Sequence, residues 1–95
     1  MSGPTFRRRA DDVAFVDDGE ERVAMLDLLH TADPPIILEG PSALIWRLLE
    51  EPCDVQALVD RLRERYTGSV EEIEAGTVVF LDDLVGRGLV LRSDG

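Results

Sequence analysis

The sequence changes from strand-like to helix-like patterning in residues 38–49, Leu-Glu-Gly-Pro-Ser-Ala-Leu-Ile-Trp-Arg-Leu-Leu. Pro41 opens the helix-like part, because proline is favoured at a first helical position, where its missing N–H would have no partner in any case. Just upstream, the β-branched run of residues 36–38 predicts a short strand. Pro34 and Pro35 precede it and suit an edge strand, because proline cannot donate to a sheet ladder. This stretch therefore predicts an edge strand that leads directly into a helix.

Two further apolar runs lie upstream of this strand. Residues 13–16 and 22–28 flank the turn signal Asp18-Gly19, and this arrangement predicts a β-hairpin. With the strand at 36–38, the hairpin predicts a three-stranded antiparallel N-terminal sheet. Residues 1–10 have no periodicity and are expected to form a flexible basic tail, which leaves residues 11–92 as one domain.

Two more helices are predicted downstream. Asp54 is the expected N-cap of the second helix, whose apolar residues recur at helical spacing until Gly68. Ser69 and Glu72 form a capping-box pattern at the start of the third helix, which continues to Arg87. Residues 89–91 predict a short terminal strand. The order of elements predicts an α+β domain in which three helices follow the N-terminal sheet and pack on it.

The charge balance of the 95-residue chain excludes several classes of function. Twenty Asp and Glu against ten Lys and Arg give a net charge of −10, and such a surface repels phosphate, so we expect no nucleic-acid partner. One cysteine and one histidine exclude multi-cysteine and His-rich metal sites, so no metal or cofactor is predicted. No apolar run approaches the roughly 20 residues of a membrane span, and no signal peptide is evident. We expect a cytoplasmic protein without a membrane partner.

The sequence contains no recognisable catalytic constellation. His30 has no spacing that selects a nucleophile, and an exposed loop position is its expected role. Cys53 precedes the second helix, where a helix N-terminus lowers a thiol pKa, but a small packing residue is the favoured interpretation. Adjacent carboxylates such as Asp82-Asp83 point about 100° apart on a helix and are expected to be solvated. The chain is therefore predicted not to be an enzyme.

Four parts of the sequence resemble PqqD-like proteins in their order and spacing. They are the hairpin that begins at residue 12 and residues 38–49, 54–59 and 80–90. The resemblance covers about residues 10–92. It implies a winged-helix-like element that recognises a ribosomally made precursor peptide. In such proteins the leader segment binds as an extra strand on the edge of the third strand, in a groove walled by the third helix. A tailoring enzyme or leader peptidase then acts on the peptide. One departure is residues 34–37, Pro-Pro-Ile-Ile, which stand where aromatic residues before the leucine are common in relatives.

The expected peptide-binding residues lie on the third strand and on one flank of the third helix. Val78 and Val85 are seven residues apart, lie beside the core stripe of that helix and are bordered by carboxylates. Two interpretations remain open for this flank: a groove wall for apolar and basic leader side chains, or a wider core contact. The predicted set is Pro35, Ile36, Ile37, Leu38, Glu71, Glu74, Val78, Leu81, Asp82 and Val85.

Other functions compete with leader-peptide binding. An acidic winged-helix adaptor or a dimerisation domain would use the same edge strand, and a monomer or weak dimer is expected. A nucleic-acid binder is disfavoured because the third helix is acidic.

Trp46 is interpreted as a structural plug between helix and sheet in preference to a ligand platform. Residues 7–9, three consecutive arginines, are a solvated tail or an arm that docks an acidic enzyme.

Overall fold

A computed structural model describes residues 3–9, 11, 13–17, 22–29, 32 and 34–94. The elements in chain order are β1 (Thr5–Arg8), β2 (Val13–Asp17), β3 (Arg22–Asp27), β4 (Ile36–Glu39), α1 (Pro41–Leu48), β5 (Cys53–Asp54), α2 (Val55–Arg65), α3 (Val70–Gly86) and β6 (Val90–Ser93). Three helices and antiparallel three-stranded sheets confirm the predicted α+β fold. The strand predicted at residues 36–38 is β4.

Strands β2, β3 and β4 form an antiparallel meander in that spatial order. Val13 pairs with Asp27 at one end of the first ladder, and Arg22 pairs with Glu39 in the second. The predicted hairpin and third strand are thus confirmed, while the Asp18-Gly19 turn lies outside the described residues. Alternation places Val23, Met25 and Leu38 in the core.

The N-terminal segment differs from its prediction. The flexible tail expected over residues 1–10 is wrong for Thr5–Arg8, which forms the central strand of a second sheet in the order β5-β1-β6. Phe6 anchors this strand, because its side chain is only 4% exposed. The partners of β1 come from the middle and the far end of the chain, so no local pattern near residue 5 predicts the pairing.

The helix ends follow the predicted caps. Asp54 accepts a hydrogen bond from the amide of Ala57 at 2.8 Å, and Ser69 Oγ accepts one from the amide of Glu72 at 3.1 Å. Gly40 has φ +61° immediately before Pro41, the first residue of α1. This left-handed glycine turns the chain from β4 into α1 within one residue.

Trp46 lies at the centre of the core and is 0% exposed. The Phe15 ring meets it in a T-shaped contact with 5.8 Å between ring centroids, so the tryptophan joins α1 to β2. Its predicted role as a structural plug is confirmed. Arg8 covers Phe15 with its guanidinium 4.6 Å from the ring centroid, and it donates to the carbonyl of Trp46. Arg8 is therefore part of the fold.

Among the residues that the structure describes, no helix is long and apolar enough to cross a bilayer.

Candidate functional site

β4 is an edge strand of the meander. It pairs with β3 on one side, and in the described part of the chain no strand pairs with its other side. Leu38 points into the core with 6% exposure, whereas Ile37 is 44% exposed and Ile36 is half-buried. A strand of this kind offers unpaired backbone donors and acceptors to an extended chain.

Antiparallel pairing fixes how many of these groups face outward. Every second residue of β4 directs both its N–H and its C=O towards β3. The residues between them direct both groups away from β3. Of Ile36–Glu39, two residues therefore bond to β3 and two present their backbone groups on the open edge. An added strand would find two donors and two acceptors there.

A cleft of about 580 Å³ lies between the start of β4 and the end of α3. We call it the proline cleft; its lining residues are Asp27, Pro34, Pro35, Ile36, Gly86, Arg87 and Leu89. Asp27 forms an ion pair with Arg9 at 3.5 Å, and Arg87 pairs with Asp83 at 3.1 Å. The cleft therefore has an apolar wall on the β4 side and charged groups at its border.

A second cavity of about 300 Å³ lies beyond the other end of β4, where α1, α2 and α3 meet. We call it the Gly76 cavity; its lining residues are Pro41, Ser42, Ile45, Leu62, Tyr66, Thr67, Glu72, Ile73, Gly76, Thr77 and Phe80. Its walls are mostly aliphatic and aromatic, with Glu72, Ser42 and Thr67 as polar members. Both ends of β4 thus lead to a cavity that includes residues of α3.

The structure separates the predicted site residues into two places. Pro35 and Ile36 line the proline cleft together with Arg87. Val78 and Asp82 instead line a smaller cavity of about 220 Å³ beside β1 and β6. We call this the Val78 cavity; its lining residues are Pro4, Phe6, Val55, Val78, Leu81, Asp82 and Arg92. No residue of β4 lines the Val78 cavity.

The remaining predicted residues of α3 lie on or behind the same flank. Glu74 lines a cavity with Pro4 and Val55, on the β1 side of the helix. Glu71 is exposed, and Val85 is half-buried against the core. Leu81 has 0% exposure and belongs to the core, as does Leu38 on β4.

The site residues predicted from the sequence do not include the opposite flank of α3. Phe80 is half-buried against the core and lines the Gly76 cavity. Arg87 was expected only as a helix end, yet it lines the proline cleft. Gly76 is the one signal that pointed to this flank, because a glycine inside a long helix weakens it relative to alanine.

The residues considered for catalysis do not form a reactive site. His30 lies outside the described residues. The Cys53 thiol is half-buried and donates to the carbonyls of Leu48 and Glu51, both at 3.4 Å. Burial raises the pKa of Cys53, and the nearby charges of Asp54 and Glu51 raise it further. The thiol is thus held protonated at neutral pH, which disfavours a nucleophilic role. No cluster of three potential metal ligands occurs among the described residues.

Comparisons with known proteins identify a family and a shared fold. The family described as coenzyme PQQ synthesis protein D (PqqD) matches residues 24–90. The structure of TbiB1 in complex with the TbiA(beta) leader peptide superposes with a TM-score of 0.72 at 23% sequence identity, over 95% of this chain and 94% of that one. A likeness at this identity establishes a shared fold. No curated protein matches the chain.

Proposed function

Because the chain belongs to the PqqD family, we propose that it binds the leader segment of a ribosomally made precursor peptide and presents it to a modifying enzyme or leader peptidase. The observation that supports this most is the open edge of β4, with a cavity at each of its ends. The structural neighbour TbiB1 was solved with a leader peptide bound. The same module on this chain would hold a peptide in the same general way.

The binding mode in this proposal is β-augmentation. An extended leader adds a fourth strand to the β2-β3-β4 sheet, and the two outward-facing residues of β4 supply its backbone hydrogen bonds. Backbone bonds of this kind give affinity without sequence preference. Side chains that enter neighbouring pockets then provide specificity. In this arrangement Ile37, half-exposed on β4, lies beside the added strand.

The groove wall in this proposal is the flank of α3 that faces the two cavities beside β4. Phe80 and Gly76 lie on it near one end of β4, and Arg87 lies on it near the other. The flank predicted from the sequence, with Glu71, Glu74, Val78, Asp82 and Val85, stays a competing proposal. It would require the leader to reach the side of α3 next to Phe6 and Arg92.

Charge favours a basic leader. The chain has a net charge of −10, and α3 displays exposed carboxylates at Glu71, Glu72, Glu74, Asp82 and Asp83. A leader rich in lysine or arginine would be attracted over distances up to about 10 Å at ordinary salt. An acidic leader would be repelled.

We propose a binding role without catalysis. The reaction on the peptide would belong to the partner enzyme, because the Cys53 thiol is held protonated and its hydrogen bonds point to backbone carbonyls. The chain would act by positioning its peptide.

A displayed library of random 20-residue peptides tests the proposal. The peptide selected on the immobilised protein is synthesised with a fluorescent label, and its affinity is measured by anisotropy. A ¹⁵N-labelled sample then reports which amides shift, and we expect the largest shifts in Ile36–Glu39.

Three outcomes would contradict the proposal. The first is a library from which no peptide binds in solution. The second is a bound peptide that leaves the β4 amides unshifted. The third is submicromolar, salt-sensitive binding to a labelled DNA duplex, tested at low salt because low salt favours any electrostatic contact. Self-association through β4 would appear as amide shifts that grow with protein concentration in the absence of peptide.

A further inference from the structure

The β2-β3-β4 meander has one buried face and one apolar face that is turned away from the core. Side chains alternate along each strand, so the neighbours of the buried side chains of β3 and β4 point outward. We call this surface the outer face; its apolar residues are Ala14, Val16, Ala24, Leu26 and Ile37. None of these five belongs to the buried core or packs against it.

The outer face is unusual for an antiparallel sheet, which commonly carries polar residues on the side that it turns to water. Val16 is 70% exposed and Ile37 is 44% exposed. An exposed apolar patch of this kind is typical of an interaction surface.

The register of the strands arranges the outer face in rows. Val16 pairs with Ala24, and Ala24 pairs with Ile37, so these three form one row across the meander. Arg22 pairs with Glu39 in the adjacent row. Both are exposed and lie on the same face, because each is two residues from a member of the first row. An apolar row thus lies beside a row that holds one positive and one negative charge.

This pattern is complementary to itself. Two outer faces can pack about a two-fold axis that runs parallel to the strands, between β3 and β4. The axis keeps each row level with the same row of the second copy and exchanges β3 with β4. Arg22 of one copy then lies over Glu39 of the other, so opposite charges meet twice. Ala24 lies over Ile37, a small side chain against a large one.

The same axis places β2 of one copy over the open edge of β4 of the other. A leader strand added at that edge would therefore pack under β2 of the second copy, beneath Val16. Three strands are only about 14 Å across, so the free chain offers far less than the roughly 800 Å² per partner of a stable interface. The leader widens each sheet by one strand and adds to the area that two copies share.

We infer that the outer face of the meander docks a second copy of this chain, and that a bound leader strengthens the dimer. The coupling to the leader rests on the proposed function and deepens it, because each copy would cover the peptide held by the other. The net charge of −10 on each copy opposes the contact. The dimer of the free chain should therefore become tighter as salt rises.

Sedimentation velocity over a range of protein concentrations tests the inference. We expect weak self-association of the free chain, stronger at high salt than at low salt. Saturation with the library-selected peptide should lower the dimer dissociation constant at least tenfold. A dimer formed by pairing of β4 edges would behave in the opposite way, because the peptide would compete with it.

Val16→Asp and Val79→Asp are a matched pair of variants. The two valines are 70% and 69% exposed, but Val79 lies on α3 and is not part of the outer face. Val16→Asp should abolish the gain in dimerisation that the peptide causes, while peptide affinity at protein concentrations too low for dimers stays unchanged. Val79→Asp should dimerise like the wild type. Equal dimerisation of the two variants would overturn the inference.

The charged row allows a second test that needs no peptide. Arg22→Glu gives copies that place glutamate over glutamate, and Glu39→Arg gives copies that place arginine over arginine. Each variant alone should self-associate several-fold more weakly than the wild type. A mixture of the two should form heterodimers, because both cross-copy contacts then join opposite charges. A mixture that associates no better than its separate components would contradict the packing of the outer faces.

The peptide experiments separate this inference from the proposed function. If the peptide binds and shifts the β4 amides while the chain stays monomeric at every concentration and salt, the dimer is wrong and leader binding stands. If no library peptide binds, the proposed function and the coupling of peptide to dimer are both wrong.

Discussion

Arg47 on α1 and Asp17 at the end of β2 form a two-point ion pair. The Nε of Arg47 donates to Oδ2 of Asp17 and its Nη2 donates to Oδ1, both at 2.6 Å. Planar, bidentate geometry of this kind is the strongest form of an arginine–carboxylate contact. The pair connects β2 of the meander to α1.

Asp17→Asn should lower the free energy of unfolding by about 1 kcal/mol, because the contact is bidentate but partly exposed. Urea unfolding at low and high salt measures this effect. Asp83→Asn is the control, since its pair with Arg87 lies on the exposed surface of α3 and should contribute no more than about 0.5 kcal/mol. Equal decreases in the free energy of unfolding in the two variants would show that the meander does not depend on the Arg47 contact.

Single prolines at residues 36–39 should divide into two classes. Proline removes the backbone N–H, so two of the variants lose a ladder bond to β3 and unfold more easily. The other two lose only an outward donor. These two should keep their helical circular dichroism and bind the selected peptide at least tenfold more weakly, which corresponds to about 1.4 kcal/mol. Folded variants that all retain full affinity would exclude β-augmentation on β4.

Val78→Ala and Phe80→Ala compare the two flanks of α3. Val78 is 38% exposed and lies beside β1 and β6, so its truncation should cost about 1 kcal/mol of stability or less, below the 2–5 kcal/mol of a buried large-to-small change. Phe80→Ala should cost more and should weaken peptide binding selectively. Both affinities are measured at a temperature where each variant is fully folded. A binding defect at Val78 alone would favour the flank predicted from the sequence.

Asp82→Arg and Asp83→Arg test the same question through charge. The two carboxylates are neighbours in sequence, but Asp82 lines the Val78 cavity and Asp83 pairs with Arg87 at the proline cleft. Asp83→Arg should slow association of a basic selected peptide several-fold at low salt, and the effect should shrink as salt rises. Asp82→Arg should slow it less. Stopped-flow fluorescence measures both rates, and the reverse order would support the β1-side flank.

Cys53 should react slowly with iodoacetamide at neutral pH. Burial and the neighbouring carboxylates raise the pKa of its thiol, so the thiolate forms at a higher pH in the folded chain than in the unfolded one. The pH–rate profile should therefore shift to lower pH in urea. For the same reason, stability should fall as pH rises above the ordinary thiol pKa. Coincident folded and unfolded profiles would contradict the raised pKa.

Local signals made most of the fold predictable. Asp54, Ser69 and Gly88 each mark a helix end through a contact or a backbone angle within a few residues, and the structure has all three. Strand β1 was not predictable, because its partners β5 and β6 lie far along the chain. β5 has only two residues, too few for any periodic pattern.

Of the candidate site, only the edge strand β4 could be predicted from the sequence. Residues 36–38 identify an edge strand by composition, but helical spacing alone defines the flanks of α3 without saying which sheet each one faces. The fold places Val78 beside β1 and β6, whereas Val85 is half-buried against the core.

The pairing of β1 with β6 sets the order in which this chain can fold. Thr5 faces Ser93 across that ladder, so the contact closes a loop of almost the entire chain. The β2-β3-β4 meander and the α2–α3 pair are each continuous in sequence and need only short loops. Because the entropy of closure rises with loop length, the meander that contains β4 can form before the two ends of the chain meet. Pairing of β1 with β6 joins residues far apart in sequence, so we expect it to form after the meander.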